Sequence, residues 1–172
     1  GAWPEPGPSD LPPILIILGG FAALIALIGL GGGFIPATAI LFAATATASV
    51  KDAAASALDT AQDLTAAALD LTGIRHKWGG HTPETGLDCS GLVRYVFQQV
   101  TGVTLPRTAR EMSGVGASVA IADLKPGDLV FFNTRRFAFS HVGIYLGDNQ
   151  FIHAPRRGRE VEVTTLDKRY WQ

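Results

Sequence analysis

The hydrophobic and polar positions of this 172-residue chain divide it into two unlike segments. No residue from 11 to 50 is charged, and Ile14 to Leu30 is an uninterrupted run of 17 apolar or glycine residues. A run of this length is at the lower limit for a helix that crosses a bilayer. The pattern therefore predicts a hydrophobic helical leader over residues 1–50, followed by a separate domain over residues 51–172.

The leader has three alternative interpretations. Its Ala44-Thr45-Ala46 sequence is typical of a secretory signal's cleavage site, but Glu5 and Asp10 stand where such a signal carries positive charge. A membrane anchor through residues 11–50 is the interpretation we favour. A helical hairpin buried in a larger assembly is the third.

Two helices are predicted in the domain. Residues 52–71 are rich in Ala and Leu, and their four aspartates fall on one side of a helical projection. A second helix is predicted to begin at Cys89, because apolar residues recur at helical spacing from Leu92 to Val100. Asp88 suits its N-cap, and Gly102 suits its C-terminal end.

The remainder of the domain has the pattern of short strands. Three segments rich in β-branched and aromatic residues are bounded by turn residues: Asp128 to Asn133, His141 to Leu146 and Gln150 to Ala154. Helices followed by strands of this kind predict an α+β domain, with its N-terminal helices packed on an antiparallel sheet.

Charge and cysteine content exclude several classes of protein. The segment after residue 50 holds all 14 Lys and Arg residues and 13 of the 15 acids, so it is nearly neutral, and we expect no nucleic-acid partner. A single cysteine excludes an intramolecular disulfide and a zinc site built from several cysteines. We expect neither a metal nor an organic cofactor.

Cys89 has the position of a nucleophile. Unpaired backbone N–H groups and the positive end of the helix dipole at a first helical turn favour thiolate over thiol. Ser90 and Gly91 are small and leave room for a substrate. The alternative interpretation of a lone cysteine is an inert buried thiol.

Two histidines on the predicted hairpin can serve this nucleophile. A three-residue loop over 147–149 pairs Ile144 with Ile152, and His141 then lies diagonal to His153 on one face, about 7–8 Å away. A two-residue loop would place them on opposite faces. Because the first register matches the apolar positions, we predict His141 as general base and acid and His153 as the residue that orients its ring.

Six sequence blocks occur in order along the domain. They are Arg75-His76-Lys77-Trp78-Gly79-Gly80, Gly86-Leu87-Asp88-Cys89-Ser90-Gly91-Leu92-Val93, Leu105-Pro106-Arg107-Thr108, Lys125-Pro126-Gly127-Asp128-Leu129-Val130-Phe131-Phe132, His141-Val142-Gly143-Ile144-Tyr145 and Phe151-Ile152-His153-Ala154. Together they resemble the NlpC-type family of bacterial cell-wall cysteine endopeptidases over about residues 52–172.

The resemblance implies a papain-like α+β fold and hydrolysis of amide bonds in peptidoglycan stem peptides, often the bond between γ-D-glutamate and a diamino acid. It assigns the nucleophile, the base and the polar third residue to Cys89, His141 and His153. It also implies a bacterial envelope location, either membrane-anchored or secreted. It leaves open a related amidase or acyltransferase, an envelope-directed toxin, and a non-catalytic membrane-tethered wall-binding module.

One departure from the family concerns His76, because family members commonly carry a tyrosine there whose hydroxyl lies beside the nucleophile. A histidine can still donate through a ring nitrogen, but its charge changes near neutral pH. We place His76, Asp88, Ser90 and Arg107 in the substrate-binding or oxyanion region, with Arg107 expected to contact a substrate carboxylate.

Overall fold

The computed structural model describes residues 15–17, 39–134 and 138–167, with side chains from residue 52 onward. The helices are α1 (Ala39–Leu69), α2 (Cys89–Thr101) and α3 (Ala109–Met112), with a 3-10 turn at Ile121–Asp123. The strands are β1 (Leu15–Ile17), β2 (His81–Thr82), β3 (Gly86–Leu87), β4 (Ser118–Val119), β5 (Leu129–Phe132), β6 (His141–Gly147), β7 (Gln150–His153) and β8 (Glu162–Thr165). This mixed helix and sheet content agrees with the predicted α+β class.

Within the described residues, six strands form an antiparallel sheet in the order β4-β1-β5-β6-β7-β8, and β2 pairs with β3 in a separate hairpin. The three strands predicted from the sequence are confirmed as β5, β6 and β7. Helix α2 is confirmed from Cys89 with Asp88 and Gly102 as its caps. The helix predicted over 52–71 is the C-terminal part of α1, which ends at Leu69.

The turn between β6 and β7 differs from the prediction. Gln150 pairs with Gly147 and not with Leu146, so the loop contains two residues instead of three. Those two residues, Asp148 and Asn149, have φ angles of 49° and 61°. Two consecutive residues with positive φ are typical of a tight hairpin turn that suits the twist of the strands.

A β-bulge compensates for the shorter turn. The register shifts by one residue between Tyr145 and Gly147, so that Ile144 still pairs with Ile152 as predicted. A bulge inserts one unpaired residue into one strand, so the residues beyond it return to the face of the sheet that the three-residue loop would give them. The ends of the two strands away from the turn carry the histidines. His141 therefore still lies diagonal to His153 on one face of the sheet, as predicted.

Both faces of the sheet are covered around β5. Leu129 and Phe131 belong to the cluster that packs against α1 and α2, whereas Val130 and Phe132 belong to a cluster on the opposite face. A strand buried on both faces lacks the alternation of apolar and polar residues. This accounts for the continuous apolar sequence of β5 and places α2 directly over the sheet.

The leader is described only in part. Leu15–Ile17 forms a strand between β4 and β5, where a helix was predicted, and the remainder of Ile14 to Leu30 lies outside the described residues. Helix α1 runs continuously across residues 50 and 51. None of the helices in the described ranges has the length and hydropathy needed to cross a bilayer. The division of the chain at residue 50 stays a prediction.

Gly143 allows β7 to approach β6 closely at the site of the histidines. A β-carbon at this position would lie 2.7 Å from Cδ2 of Phe151, 2.8 Å from the carbonyl oxygen of Ile152 and 3.3 Å from Cβ of His153. The Phe151 ring and the strand backbone are both buried, so neither can move without disturbing the sheet.

We expect Gly143→Ala to lower the free energy of unfolding by about 1–3 kcal/mol, because the added methyl group overpacks this strand pair. Urea unfolding of the variant and the parent measures the change. Gly114→Ala is the matched control, since its β-carbon would have one neighbour, 3.5 Å away. Equal stability of the Gly143 and Gly114 variants would contradict this account of the hairpin.

Candidate active site

Cys89 is the first residue of α2 and is partly exposed. Asp88 precedes it with extended backbone angles, and its carboxylate accepts a hydrogen bond of 2.6 Å from the backbone N–H of Gly91. Such an N-cap fixes the residue at which the helix begins. The thiol is therefore held at the positive end of the α2 dipole, as the sequence predicts.

The loop before Cys89 packs tightly against the start of α2. The Asp88 N–H donates to the Gly80 carbonyl at 3.1 Å, and the Gly79 N–H donates to the Asp88 carboxylate at 3.0 Å. A β-carbon on Gly91 would lie 2.0 Å from the Gly80 oxygen, so only glycine fits at this position. Gly91 thus serves the packing of this loop against α2.

Arg107 completes the network around Asp88. Its two terminal nitrogens lie 2.7 and 3.2 Å from the two carboxylate oxygens, and Nη1 also donates to the Ser90 hydroxyl at 2.8 Å. The hydrogen bond with Asp88 is the largest effect that raises the pKa of Arg107, and the charges of Asp88 and Cys89 act in the same direction. Arg107 therefore offsets the negative charge beside the thiol, a role that the sequence interpretation did not give it.

His141 and His153 are in direct contact, as the hairpin register predicts. Nε2 of His141 lies 2.8 Å from Nδ1 of His153, and the two ring planes are nearly perpendicular. His141 is 5% exposed and His153 is 1% exposed, and the rings of Phe132 and Phe151 pack beside them. The pair is thus a buried hydrogen bond between two imidazoles.

The packing of α2 relates the histidines to the thiol. Helix α2 lies across β6, the strand that begins with His141. Cys89 packs against the same apolar cluster as Val142, the residue after His141. Helix α2 and strand β6 thus contribute to the same core cluster.

Glu162 stands next to the histidine pair and was not identified from the sequence. It is the cross-strand partner of His153 in the β7–β8 ladder, and its Oε1 lies 3.9 Å from Nε2 of His153. Its other carboxylate oxygen is paired with Arg159. A carboxylate beyond the second histidine is therefore part of the site.

His76 lies in the loop next to the nucleophile segment. It forms a backbone bridge with Leu87, two residues before Cys89, and its backbone N–H donates to the Arg159 carbonyl at 2.8 Å. An open cleft of about 310 Å³ is lined by His76, Lys77, Trp78 and Arg157. His81 is exposed at the start of β2.

Groups of three or more histidine, cysteine or acidic side chains able to hold a metal ion were not found in the part of the chain that the structure describes.

Comparison with known proteins identifies the family. The family model described as "NlpC/P60 family" matches residues 73–172. The sequence is 46% identical over 103 residues to murein DD-endopeptidase MepH of Escherichia coli strain K12, covering 58% of this chain and 38% of that protein. It is 48% identical over 101 residues to gamma-DL-glutamyl hydrolase of Bacillus subtilis strain 168, covering 58% of this chain and 24% of that protein. The chain thus matches well under half the length of these relatives.

Solved structures agree with this result. The NlpC/p60 domain of the peptidoglycan hydrolase SagA has a TM-score of 0.57 at 36% identity, covering 62% of this chain and 89% of that one. The peptidoglycan hydrolase RipB of Mycobacterium tuberculosis has a TM-score of 0.59 at 29% identity, covering 83% of this chain and 69% of that one. The family match covers more than half of the sequence, and the fold matches its solved members. The chain belongs to the NlpC/P60 family, a family of cysteine peptidases.

Proposed function

We propose that this chain hydrolyses amide bonds in peptidoglycan stem peptides, with Cys89 as nucleophile, His141 as general base and acid, and His153 as its orienting residue. The observation that carries the proposal is the buried His141–His153 hydrogen bond on a hairpin whose strand β6 packs against the helix that begins at Cys89. Because Nε2 of His141 is engaged with His153, Nδ1 is the nitrogen that serves the thiol. This is the division of roles that an activated nucleophile requires.

The proposed reaction has two steps. In the first, the thiol proton passes to His141 while sulfur bonds to the carbonyl carbon, and the amide C–N bond breaks as His141 returns the proton to the leaving amine. In the second, water loses a proton to His141 and attacks the thioester, which releases the acid and restores the thiol. The backbone N–H of Cys89, with His76 from the adjacent loop, donates to the oxyanion.

We assign the cleaved bond to the γ-D-glutamyl–diamino acid class. The 48% identity to a protein named gamma-DL-glutamyl hydrolase supports this choice, and the 46% identity to a protein named murein DD-endopeptidase makes the bond implied by that name the alternative. The cleft that His76 lines offers a place for the acidic part of such a peptide, since it presents Lys77 and Arg157 next to Trp78, a residue that is 72% exposed. A substrate of this kind is part of the bacterial envelope, which is therefore where we propose that the protein acts.

Purified protein incubated with stem peptides of defined sequence, with products identified by mass spectrometry, tests the function. We expect the parent to release a peptide ending in γ-D-glutamate, and Cys89→Ala to release none, because the chain has no other cysteine. Cys89→Ala should keep the unfolding curve of the parent. Equal cleavage by the variant would contradict the thiol mechanism, and a product cut after D-alanine would replace the assigned bond.

Arg107→Gln is expected to slow alkylation of Cys89 by iodoacetamide by roughly tenfold, since it leaves the Asp88 carboxylate uncompensated beside the thiolate. The single cysteine makes the rate a direct measure of thiol activation. Arg110→Gln is the control, because it removes an equal positive charge from an exposed position on α3. If both variants react at the parent rate, Arg107 does not support the nucleophile.

Replacing Lys77 and Arg157 together by Gln should raise KM for an acidic stem peptide by roughly threefold to tenfold and leave kcat unchanged, because two exposed charge contacts are lost. For a stem peptide with amidated carboxylates, the same variant should have the KM and kcat of the parent. Steady-state kinetics on the two peptides measures the difference, with Arg156→Gln as the neighbouring control. An equal loss on both peptides would show that the cleft does not bind carboxylate.

A further inference from the structure

We propose that Glu162 is a positioning residue that selects the proton arrangement of the two histidines in which His141 can act as a base. The inference rests on the proposed function for its catalytic meaning, but the proton arrangement itself is a property of the resting protein. It follows from two contacts that run in series from His141 through His153 to Glu162.

The first step concerns the hydrogen bond between the rings. A neutral imidazole carries one proton, on either Nδ1 or Nε2, and its other nitrogen accepts. Between Nε2 of His141 and Nδ1 of His153, 2.8 Å apart, one proton is shared. Either His141 donates it to His153, or His153 donates it to His141.

Only one of these arrangements suits the proposed chemistry. When the proton is on Nε2 of His141, its Nδ1 has a lone pair that can take the thiol proton of Cys89. When the proton is on Nδ1 of His153, the neutral His141 ring carries its own proton on Nδ1 and cannot accept another there. Catalysis therefore requires His141 to be the donor and Nδ1 of His153 to be the acceptor.

Glu162 distinguishes the two arrangements at the far side of His153. In the productive one, Nε2 of His153 carries a proton and points its positive end toward Oε1 of Glu162, 3.9 Å away. In the unproductive one, an Nε2 lone pair faces the same carboxylate and is repelled by it. Because His153 is 1% exposed, solvent screens this difference only weakly.

The position of Glu162 is fixed by the fold. It is paired with His153 across the β7–β8 ladder, and its second oxygen is held by Arg159, three residues earlier on the same segment. Partners that orient a ligating or catalytic histidine through its second nitrogen commonly fix the ring tautomer. Arg159 thus orients the carboxylate while Oε1 stays turned toward the histidine.

The tautomers can be read directly from ¹⁵N chemical shifts of the ring nitrogens in histidine-labelled protein, at a pH where the rings are neutral. The chain has four histidines. Gln substitutions of His76 and His81 identify the ring signals of those two, so that the remaining signals belong to His141 and His153. In the parent we expect the proton on Nε2 of both His141 and His153. In Glu162→Ala the fraction of His153 with its proton on Nδ1 should rise, and Glu162→Gln, which keeps a carbonyl acceptor, should lie between.

Glu160→Gln is the matched control, because Glu160 is exposed on the same segment and pairs through its backbone with Arg75. It should leave all ring shifts unchanged. A parent protein with the proton on Nδ1 of His153, or identical tautomer populations in the parent and both Glu162 variants, would overturn the proposal. Glu162→Gln preserves size and shape, so the test does not depend on whether the alanine variant folds.

The kinetic consequence is measured separately. Glu162→Ala should lower kcat by roughly tenfold with KM unchanged, less than the 10²–10⁴ supplied by a general base itself. Glu162→Gln should recover part of the loss. A kcat equal to that of the parent, despite a shifted tautomer, would contradict the positioning role. If the parent cleaves no stem peptide but the shifts follow Glu162, the proposed function fails and the tautomer assignment stands.

Discussion

The carboxylate of Asp88 is the interaction on which the geometry of this site depends. It caps α2 by accepting the Gly91 N–H, and it holds the preceding loop by accepting the Gly79 N–H. It also accepts a bidentate pair of hydrogen bonds from Arg107. One side chain thus fixes where the helix begins, and so where Cys89 stands in the helix field. A carboxylate next to a thiolate would normally oppose ionisation, and the arginine removes that conflict while keeping the cap.

The second requirement is a fixed pair of histidines, which the hairpin supplies through a strand that packs against α2. A tight two-residue turn alone would place the two rings on opposite faces of the sheet. The bulge after Tyr145 shifts the register by one residue, so that both rings lie on the same face. Gly143 then lets the two strands approach closely enough for His153 to reach His141. The bulge and the glycine are separate local features, and both are needed for one hydrogen bond.

Local signals predicted much of this arrangement. The N-cap, the helical period after Cys89 and the C-terminal glycine lie within one segment, so they defined α2 without further information. The hairpin register was also predictable, because apolar positions must match across paired strands. The loop length was wrong because a two-residue turn with a bulge and a three-residue turn give the same pairing beyond Tyr145.

Contacts between distant segments were not predictable in the same way. Arg107 meets Asp88 across 19 residues, and no periodicity relates the two. Glu162 follows an irregular connection after β7, so nothing in the sequence fixes the register that places it opposite His153. The local pattern and the family resemblance both named the reacting residues, whereas the charges that support them emerged only from the fold.

The central claim is that Cys89 attacks the carbonyl of a stem peptide, and a reversible analogue tests it most directly. A stem peptide in which a ¹³C-labelled aldehyde replaces the scissile carbonyl should give the ¹³C resonance of a hemithioacetal when mixed with the parent protein. The same sample with Cys89→Ala should show only free aldehyde and hydrate. If the analogue occupies the site of the parent and competes with substrate, yet no hemithioacetal resonance forms, the nucleophilic role of Cys89 is contradicted.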